Sequence, residues 1–156
     1  MKKQTLLFLR RSKPDELLLA MKKRGFGEGK WNGVGGKVEG EETIEEAVIR
    51  EAEEEIGVSV LPEDLTPRGI LTFQFKGEGG LHIQVHIFET YIWKGEPSES
   101  EEMKPVWYRT DSIPYKQMWI DDPHWLPLFL KGKNVRGDFV FDATGKTIIS
   151  KHIETN

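Results

Sequence analysis

Eight glutamates crowd residues 41–55, a segment that contains a single basic residue. In a helix, like charges four positions apart oppose folding by roughly 0.2–0.5 kcal/mol per pair, so some feature must compensate this repulsion. At about 100° per residue, Glu51 and Glu55 both lie within about 20° of Ile44, on the arc that such a helix turns towards the core. Two carboxylates on this arc, with Glu54 beside them, are the arrangement expected of a cation site.

The type of ligand indicates the type of ion. An all-carboxylate set in a chain without cysteine favours a hard cation such as Mg²⁺ or Mn²⁺. Because Mg²⁺ commonly joins protein carboxylates to substrate phosphates, the cluster also predicts a phosphate substrate. Arg50 lies four residues before Glu54 and can pair with it. The alternative is a solvated acidic helix face, and we assign Glu45, Glu46 and Glu53 to solvent in either case.

A second group of residues could recognise a purine base. Trp119 offers a stacking plane, and Asn32 can both donate and accept hydrogen bonds along a purine edge. Asp121 and Asp122 are adjacent, and a buried pair that shares one proton presents one donor and one acceptor. The alternatives are ordinary: Trp119 packs in the core, and Asp122 caps a helix ahead of Pro123.

Length and composition predict one compact domain that spans residues 1–156. The formal net charge of −4 provides no global basic field, so we expect neither stable nucleic-acid binding nor membrane association. The lack of cysteine excludes disulfides, thiolate metal sites and a cysteine nucleophile. We expect a cytoplasmic monomer. The four histidines show no metal-ligand spacing and are assigned to structure or surface: His82, His86, His124 and His152.

The elements that must position these residues follow from local patterns. A helix is predicted over residues 43–56, because Thr43 and Glu46 have capping-box spacing and Gly57 stands where a helix stops. A second helix is predicted over residues 122–130. Strands are predicted over residues 5–9, 17–21, 70–75, 83–93, 106–108, 139–141 and 147–149. This order of strands and helices favours an α+β or mixed-sheet sandwich over a regular βαβ succession.

The first helix and the loop before it carry a known pattern. The Nudix box reads Gly-x5-Glu-x7-Arg-Glu-U-x-Glu-Glu-x-Gly-U, where U is a small or aliphatic residue. Every specified position is matched, by Gly36, Glu42, Arg50, Glu51, Ala52, Glu54, Glu55, Gly57 and Val58. The chain therefore resembles the Nudix hydrolases, which use a metal-bound water to cleave a nucleoside diphosphate linked to another group. This resemblance implies their fold, an α/β/α sandwich with a mixed β-sheet between helices.

The resemblance also implies roles for individual residues. It implies an Mg²⁺ cofactor, with Mn²⁺ as a substitute, and a catalytic group in which Arg50 orients the glutamates. Glu42 is expected to help hold the loop. The implied metal ligands are the carbonyl of Gly35 and the carboxylates of Glu51, Glu54 and Glu55.

Four further stretches, residues 21–27, 30–33, 101–105 and 118–122, resemble the oxidised-purine nucleoside triphosphatases of the animal MutT-homologue type. This likeness implies base binding by Asn32, Trp119, Asp121 and Asp122, and adds Glu102 as a metal-associated acid. It implies further substrate-binding positions at Thr5, Lys22, Phe26, Gly35, Gly36, Lys37, Phe73 and Met103. The expected reaction is the Mg²⁺-dependent hydrolysis of 8-oxo-dGTP, 2-oxo-dATP and similar (deoxy)nucleotides to the monophosphate and pyrophosphate, which would cleanse the nucleotide pool.

Two alternatives remain at this point. One keeps the chemistry but changes the substrate to a methylated purine nucleotide, a dinucleoside polyphosphate or a capped RNA end. Ile83 bears on this choice, because it stands where that subfamily can place a more adaptable Met in the base pocket. The other is a noncatalytic nucleotide-binding module, which the presence of Glu51, Glu54 and Glu55 disfavours.

Overall fold

The computed structural model describes residues 1–156 as a mixed α+β fold. Its strands are Lys2–Arg11 (β1), Glu16–Lys22 (β2), Trp31–Asn32 (β3), Thr66–Phe75 (β4), His82–Thr90 (β5), Met103–Arg109 (β6), Val135–Phe141 (β7) and Ile148–Thr155 (β8). Its α-helices are Ile44–Ile56 (α1) and Asp122–Leu130 (α2), and short 3-10 helices form at Pro62–Asp64 and Tyr115–Gln117. Neither α-helix has the length and apolar character needed to cross a membrane.

The first strand lies in the middle of the sheet. β1 pairs in parallel with β5 and antiparallel with β2. Beyond β5, the order continues through β4 and β7 to β8 at the edge, with β4 and β7 parallel. On the other side, β2 carries both β3 and β6 in antiparallel pairing. The predicted mixed sheet is confirmed, and Asn32 is fixed at its edge by pairing with Ala20.

The two helices cover opposite faces of this sheet. Successive residues of a strand point to opposite faces, and β1 shows the consequence. Leu7 belongs to the core below α1, where it meets Val48 and Ile56 of that helix. Phe8 belongs to the other core, where it packs against Phe129 of α2 with ring centroids 5.1 Å apart. The predicted α/β/α sandwich is therefore confirmed.

Helix α1 has both of its predicted end signals. The Thr43 hydroxyl accepts a hydrogen bond from the Glu46 N–H at 3.1 Å, and Glu46 accepts one from the Thr43 N–H at 2.8 Å. At the other end, Gly57 is left-handed at φ 73° and its N–H donates to the Glu53 carbonyl. Two local signals thus set the start and end of α1, and with them the direction in which its carboxylates point.

Strand boundaries were predicted less well than helix boundaries. The last two strands are longer than the predicted segments and run over Val135–Phe141 and Ile148–Thr155. β8 is an edge strand whose residues are mostly exposed and polar, so it lacks the apolar alternation that marks a strand in sequence. Strand β5 ends at Thr90, short of the predicted residue 93. β3 and the two 3-10 helices were not predicted, because each is only two or three residues long.

A buried ionic network attaches α2 to the sheet. Glu89 forms ion pairs with Arg10 Nη1 at 3.0 Å and with Arg68 Nη1 at 2.8 Å. Arg68 Nη2 donates to the carbonyls of Phe129 and Lys133, both at 2.8 Å, at the end of α2. Both guanidinium groups lie over the Phe129 ring. Glu89 therefore pairs with two buried cations that join β1, β4 and α2, and only Arg10 has a second partner, the half-exposed Asp15 at 3.0 Å.

We predict that Glu89→Gln lowers the free energy of unfolding by about 3 kcal/mol, because it leaves the buried Arg68 without its counter-charge and Arg10 with only the half-exposed Asp15. Urea denaturation measures this change. The matched control is Glu154→Gln, which removes an exposed pair with His152 and should change stability by less than about 0.5 kcal/mol. Equal stability of the two variants would contradict the importance of the network.

Candidate active site

Glu55 is the buried acid of the α1 cluster. Its Oε1 accepts a hydrogen bond from the backbone N–H of Gly35 at 2.8 Å. Burial raises the pKa of Glu55 to about 8, although the Gly35 N–H favours the charged form. The neighbouring Glu51 carboxylate raises this pKa further. A positive charge placed beside these two acids would relieve both effects.

Arg50 organises the other acids of the box. Its guanidinium contacts both oxygens of Glu42, at 2.6 and 3.0 Å, and its Nη2 donates to the Lys37 carbonyl at 3.0 Å. Its Nη1 meets Glu51 at 3.0 Å and Glu54 at 3.1 Å, so the predicted Arg50–Glu54 pair is present. Arg50 lowers the pKa of Glu42, whereas burial raises the pKa of Glu51. One side chain thus holds both the loop and two candidate ligands.

The carboxylates of Glu51, Glu54 and Glu55, which were expected to converge, do not meet at one point in this structure. Glu51 and Glu54 turn to Arg50, whereas Glu55 turns to Gly35. No group of three or more acidic, histidine or cysteine side chains stands ready to hold a metal ion. Arg50 holds Glu51 and Glu54 by its positive charge in this metal-free structure, and a metal centre shared by Glu51, Glu54 and Glu55 stays a prediction. The chemistry of the set still fits Mg²⁺, since all donors are carboxylate oxygens and two of them are withdrawn from water.

Two glycines let the loop approach these carboxylates. A Cβ at Gly36 would lie 2.6 Å from Glu51 Oε1, and a Cβ at Gly35 would lie 2.0 Å from the Thr5 carbonyl. Thr5 is buried, and its N–H donates to the Gly36 carbonyl at 2.9 Å. The contact shown for Gly35 is through its N–H, and metal ligation by its carbonyl stays a prediction.

Other predicted residues lie around this centre. Lys22 and Glu102 both influence the pKa of Glu55 by their charges, in opposite directions, so they face the same site. Glu102 is exposed and is held by Arg24, whose Nη2 lies 2.6 Å from it. The Lys37 side chain is exposed. The structure buries Met103 in the core below α1, and this packing does not support its predicted contact with substrate.

The aromatic side of the site is formed by Trp119 and by the glycine-rich loop of residues 23–30, between β2 and β3. Phe26 lies against Trp119 with ring centroids 5.1 Å apart, and the Lys30 ammonium lies 5.3 Å from the indole centroid. Phe26 is 65% exposed and Trp119 is half-buried. One exposed aromatic ring on a loop beside a half-buried indole provides a surface on which a planar base could stack.

The two adjacent aspartates are both buried. The Trp125 indole N–H donates to Asp121 Oδ2 at 2.9 Å, and the Trp119 backbone N–H donates to Asp122 Oδ2 at 3.1 Å. Burial raises the pKa of Asp121 to about 6. Burial and the charge of Asp121 raise the pKa of Asp122 well above its usual range. Both shifts favour a protonated carboxyl group in this pair, and the pKa of Asp122 is raised the more strongly because the charge of Asp121 adds to the effect of burial.

The N-cap alternative for Asp122 is wrong. Asp122 is the first residue of α2, Asp121 occupies the cap position, and no side chain caps this end. Asn32 is half-buried, and its Oδ1 accepts the Gly33 N–H at 2.9 Å, which orients the amide. Phe73 stacks on two phenylalanines of β7 in the core below α2, and Ile83 is its cross-strand neighbour.

Sequence reasoning missed several partners of these groups. Trp125 follows Asp121 by four residues, and this spacing of one helical turn could have indicated the contact. The contacts of Lys30 with Trp119 and of Gln117 with Trp31 gave no such signal. In each pair the two residues are more than 80 positions apart in sequence, and only the fold brings them together.

The α/β/α sandwich, helix α1 with its carboxylates, and the loop that contains Gly35 and Gly36 together define a class of nucleotide hydrolase. The family model described as NUDIX domain matches residues 2–129, and the chain belongs to the Nudix family as a Nudix hydrolase. Nudix hydrolases generally use divalent metals.

Relatives of known name share most of the chain. It is 50% identical over 139 residues to the Oxidized purine nucleoside triphosphate hydrolase of Danio rerio, covering 89% of this chain and 86% of the relative. The protein of the same name from Mus musculus is 48% identical over 128 residues, covering 82% and 80%. Among solved structures, a MutT protein from Bacillus halodurans has a TM-score of 0.82 at 25% identity and covers 99% of this chain and 98% of its own.

The raised pKa of Glu55 predicts a pH-dependent effect on stability in the metal-free protein. The folded state holds the Glu55 proton to about pH 8 and the unfolded chain to about pH 4.5, so this stabilisation is complete below pH 4.5 and is lost as the pH rises through 8. The Glu55→Gln variant has no carboxyl group to ionise at this position and therefore does not lose stability in this way as the pH rises. We expect it to stabilise the metal-free protein by about 3 kcal/mol at pH 9 and by much less at pH 5.

Urea denaturation at the two pH values measures this difference. Glu53→Gln is the control, because Glu53 is an exposed acid of the same helix. Added Mg²⁺ should stabilise the wild-type protein more than the Glu55→Gln variant. A Glu55→Gln variant whose stability follows the wild-type curve at both pH values, with or without Mg²⁺, would rule out Glu55 as the desolvated acid of a cation site.

Proposed function

We propose that this Nudix hydrolase acts on oxidised purine (deoxy)nucleoside triphosphates such as 8-oxo-dGTP and 2-oxo-dATP, and releases the nucleoside monophosphate and pyrophosphate. The observation that carries the proposal is the buried Asp121–Asp122 pair beside Trp119. The names of the zebrafish and mouse relatives support the same substrate class. Such an activity would remove damaged nucleotides before they enter DNA.

The aspartate pair suits bases whose hydrogen-bonding edges have been altered. A pair that shares one proton offers a donor and an acceptor side by side, and a shift of the proton exchanges their roles. Oxidised guanine and oxidised adenine present different patterns of donors and acceptors, and both could be matched in this way. Trp119 would stack on the base, and Asn32 would contact another part of its edge.

On the phosphate side, we propose that Glu51, Glu54 and Glu55 hold Mg²⁺ or Mn²⁺, with the Gly35 carbonyl and Glu102 as further ligands. When bound, the ion would neutralise phosphate oxygens and lower the pKa of a water molecule. Arg50 would keep Glu51 and Glu54 oriented, and the Gly35 N–H would orient Glu55. Lys22 and Lys37 would add positive charge for the triphosphate.

The rest of the proposal concerns the chain as a whole. Strands from both ends of the chain, β1 and β8, belong to one sheet, which supports a single domain over residues 1–156. The net charge of −4 supports a small-molecule substrate over stable nucleic-acid binding. A monomeric state and a cytoplasmic location remain expectations from the sequence.

Steady-state assays with Mg²⁺ test the substrate. We expect kcat/KM for 8-oxo-dGTP or 2-oxo-dATP to exceed that for dGTP by about 10-fold or more, because a site with fixed donors and acceptors rejects a mismatched edge. O6-methyl-dGTP and a dinucleoside polyphosphate complete the panel. Oxidised triphosphates that are hydrolysed no better than dGTP would refute the proposal, and a preferred dinucleotide would favour another Nudix substrate.

Asp121→Asn tests the aspartate pair separately from phosphate chemistry. The amide cannot take part in sharing one proton, so kcat/KM for oxidised purines should fall by about 10- to 100-fold while that for dGTP falls by less than about 3-fold. Asp138→Asn, an exposed aspartate of β7, is the matched control. Equal losses for every nucleotide would show that the substitution damages the fold and not base recognition.

A further inference from the structure

Two segments that would grip the base meet through one hydrogen bond. The Trp31 indole N–H donates to Gln117 Oε1 at 3.2 Å. Trp31 directly precedes Asn32, and Gln117 lies two residues before Trp119. This is the only hydrogen bond between residues 24–33 and residues 115–122. Phe26 and Lys30 also contact Trp119, and Met118 lies in the same core as Trp31, but these contacts lack the directionality of a hydrogen bond.

The Trp31 side of this bond is firmly held. Trp31 is 8% exposed, and its ring packs edge-on against Tyr108 at 5.2 Å. Its backbone pairs with Met21 of β2. The bond is partly buried, because Gln117 itself is exposed, and the Gln117 oxygen gives the indole N–H a directional partner that orients the ring.

The Gln117 side leads directly to the stacking plane. Gln117 ends a 3-10 helix, and its N–H donates to the Pro114 carbonyl at 2.8 Å. The next residue, Met118, is buried in the same core as Trp31. Trp119 follows, and its N–H donates to Asp122. Any shift of Gln117 would therefore be passed to the stacking plane and the aspartate pair through two or three covalently linked residues.

We propose that Gln117 is a positioning residue for base discrimination: through Trp31 it fixes the spacing between Asn32 on one side and Trp119 with Asp121 and Asp122 on the other. This inference rests on the proposed function, because it concerns the same base. Gln117 contacts none of the carboxylates of α1. Its loss should therefore weaken recognition of the base and spare the hydrolytic step.

Gln117→Leu and Gln117→Glu test this role. The leucine removes the acceptor at similar size, whereas the glutamate keeps an acceptor oxygen. We expect Gln117→Leu to raise KM for 8-oxo-dGTP by about 10-fold, with kcat within about 2-fold and KM for dGTP changed by less than about 3-fold. Gln117→Glu should restore KM for 8-oxo-dGTP to within about 3-fold of wild type.

A binding measurement separates recognition from catalysis. Affinity for the product 8-oxo-dGMP in the presence of EDTA, measured by calorimetry, should fall about 10-fold in Gln117→Leu. In a Trp31→Phe background, which lacks the indole donor, Gln117→Leu should cause no further loss. The matched control is Gln84→Leu, since Gln84 also bonds to a ring nitrogen, that of His86, on the polar surface of β5.

The outcomes distinguish this inference from the proposed function. Should the wild-type enzyme prefer 8-oxo-dGTP over dGTP while Gln117→Leu keeps its affinity and selectivity, the positioning role is refuted and the proposed function stands. Equal weakening for both nucleotides, or failure of Gln117→Glu to restore selectivity, also refutes it and indicates a structural role. A wild-type enzyme without that preference refutes the proposed function itself.

Discussion

Two pairs of carboxylates at the site are held wholly or partly away from water, Glu51 with Glu55 on α1 and Asp121 with Asp122 at the start of α2. Removing a carboxylate from water is costly unless it gains a proton, a hydrogen bond or a cation. Each pair meets this requirement differently. The glutamates receive Arg50 and the Gly35 N–H, whereas the aspartates receive N–H donors from two tryptophans and have raised pKa values that favour protonation.

These two solutions correspond to the two parts of the proposed substrate. Carboxylates that lack full compensation favour a divalent cation and hence phosphates. Carboxylates that share a proton favour the edge of a base. The short stretch from Asn32 to Gly36 would link them, because the two glycines lie against Glu51 and Glu55 and Asn32 is the proposed contact for the base. In the proposed function, the base and the phosphates would thus be bound within five residues of chain.

The sequence predicted what depends on local signals. Helix α1 was placed correctly because Thr43, Glu46 and Gly57 are neighbours of the helix they end, and the box spacing placed Glu55 on its buried side. Contacts between distant segments were not predictable in the same way. The turn of Glu51 and Glu54 towards Arg50, the pairing of Gln117 with Trp31 and the ionic network at Glu89 each depend on the assembled fold. Only the first residues of β8 were predicted as a strand, because an exposed edge strand needs no apolar alternation.

The central place of β1 has a consequence for synthesis on the ribosome. This strand is made well before its parallel partner β5, since Lys2 lies beside Ile83. Until that later segment emerges, a long apolar strand has one open edge, and such edges are prone to unwanted association. Strand pairs so distant in sequence also form slowly. The nascent chain therefore has to keep β1 protected until residues 82–90 have been translated.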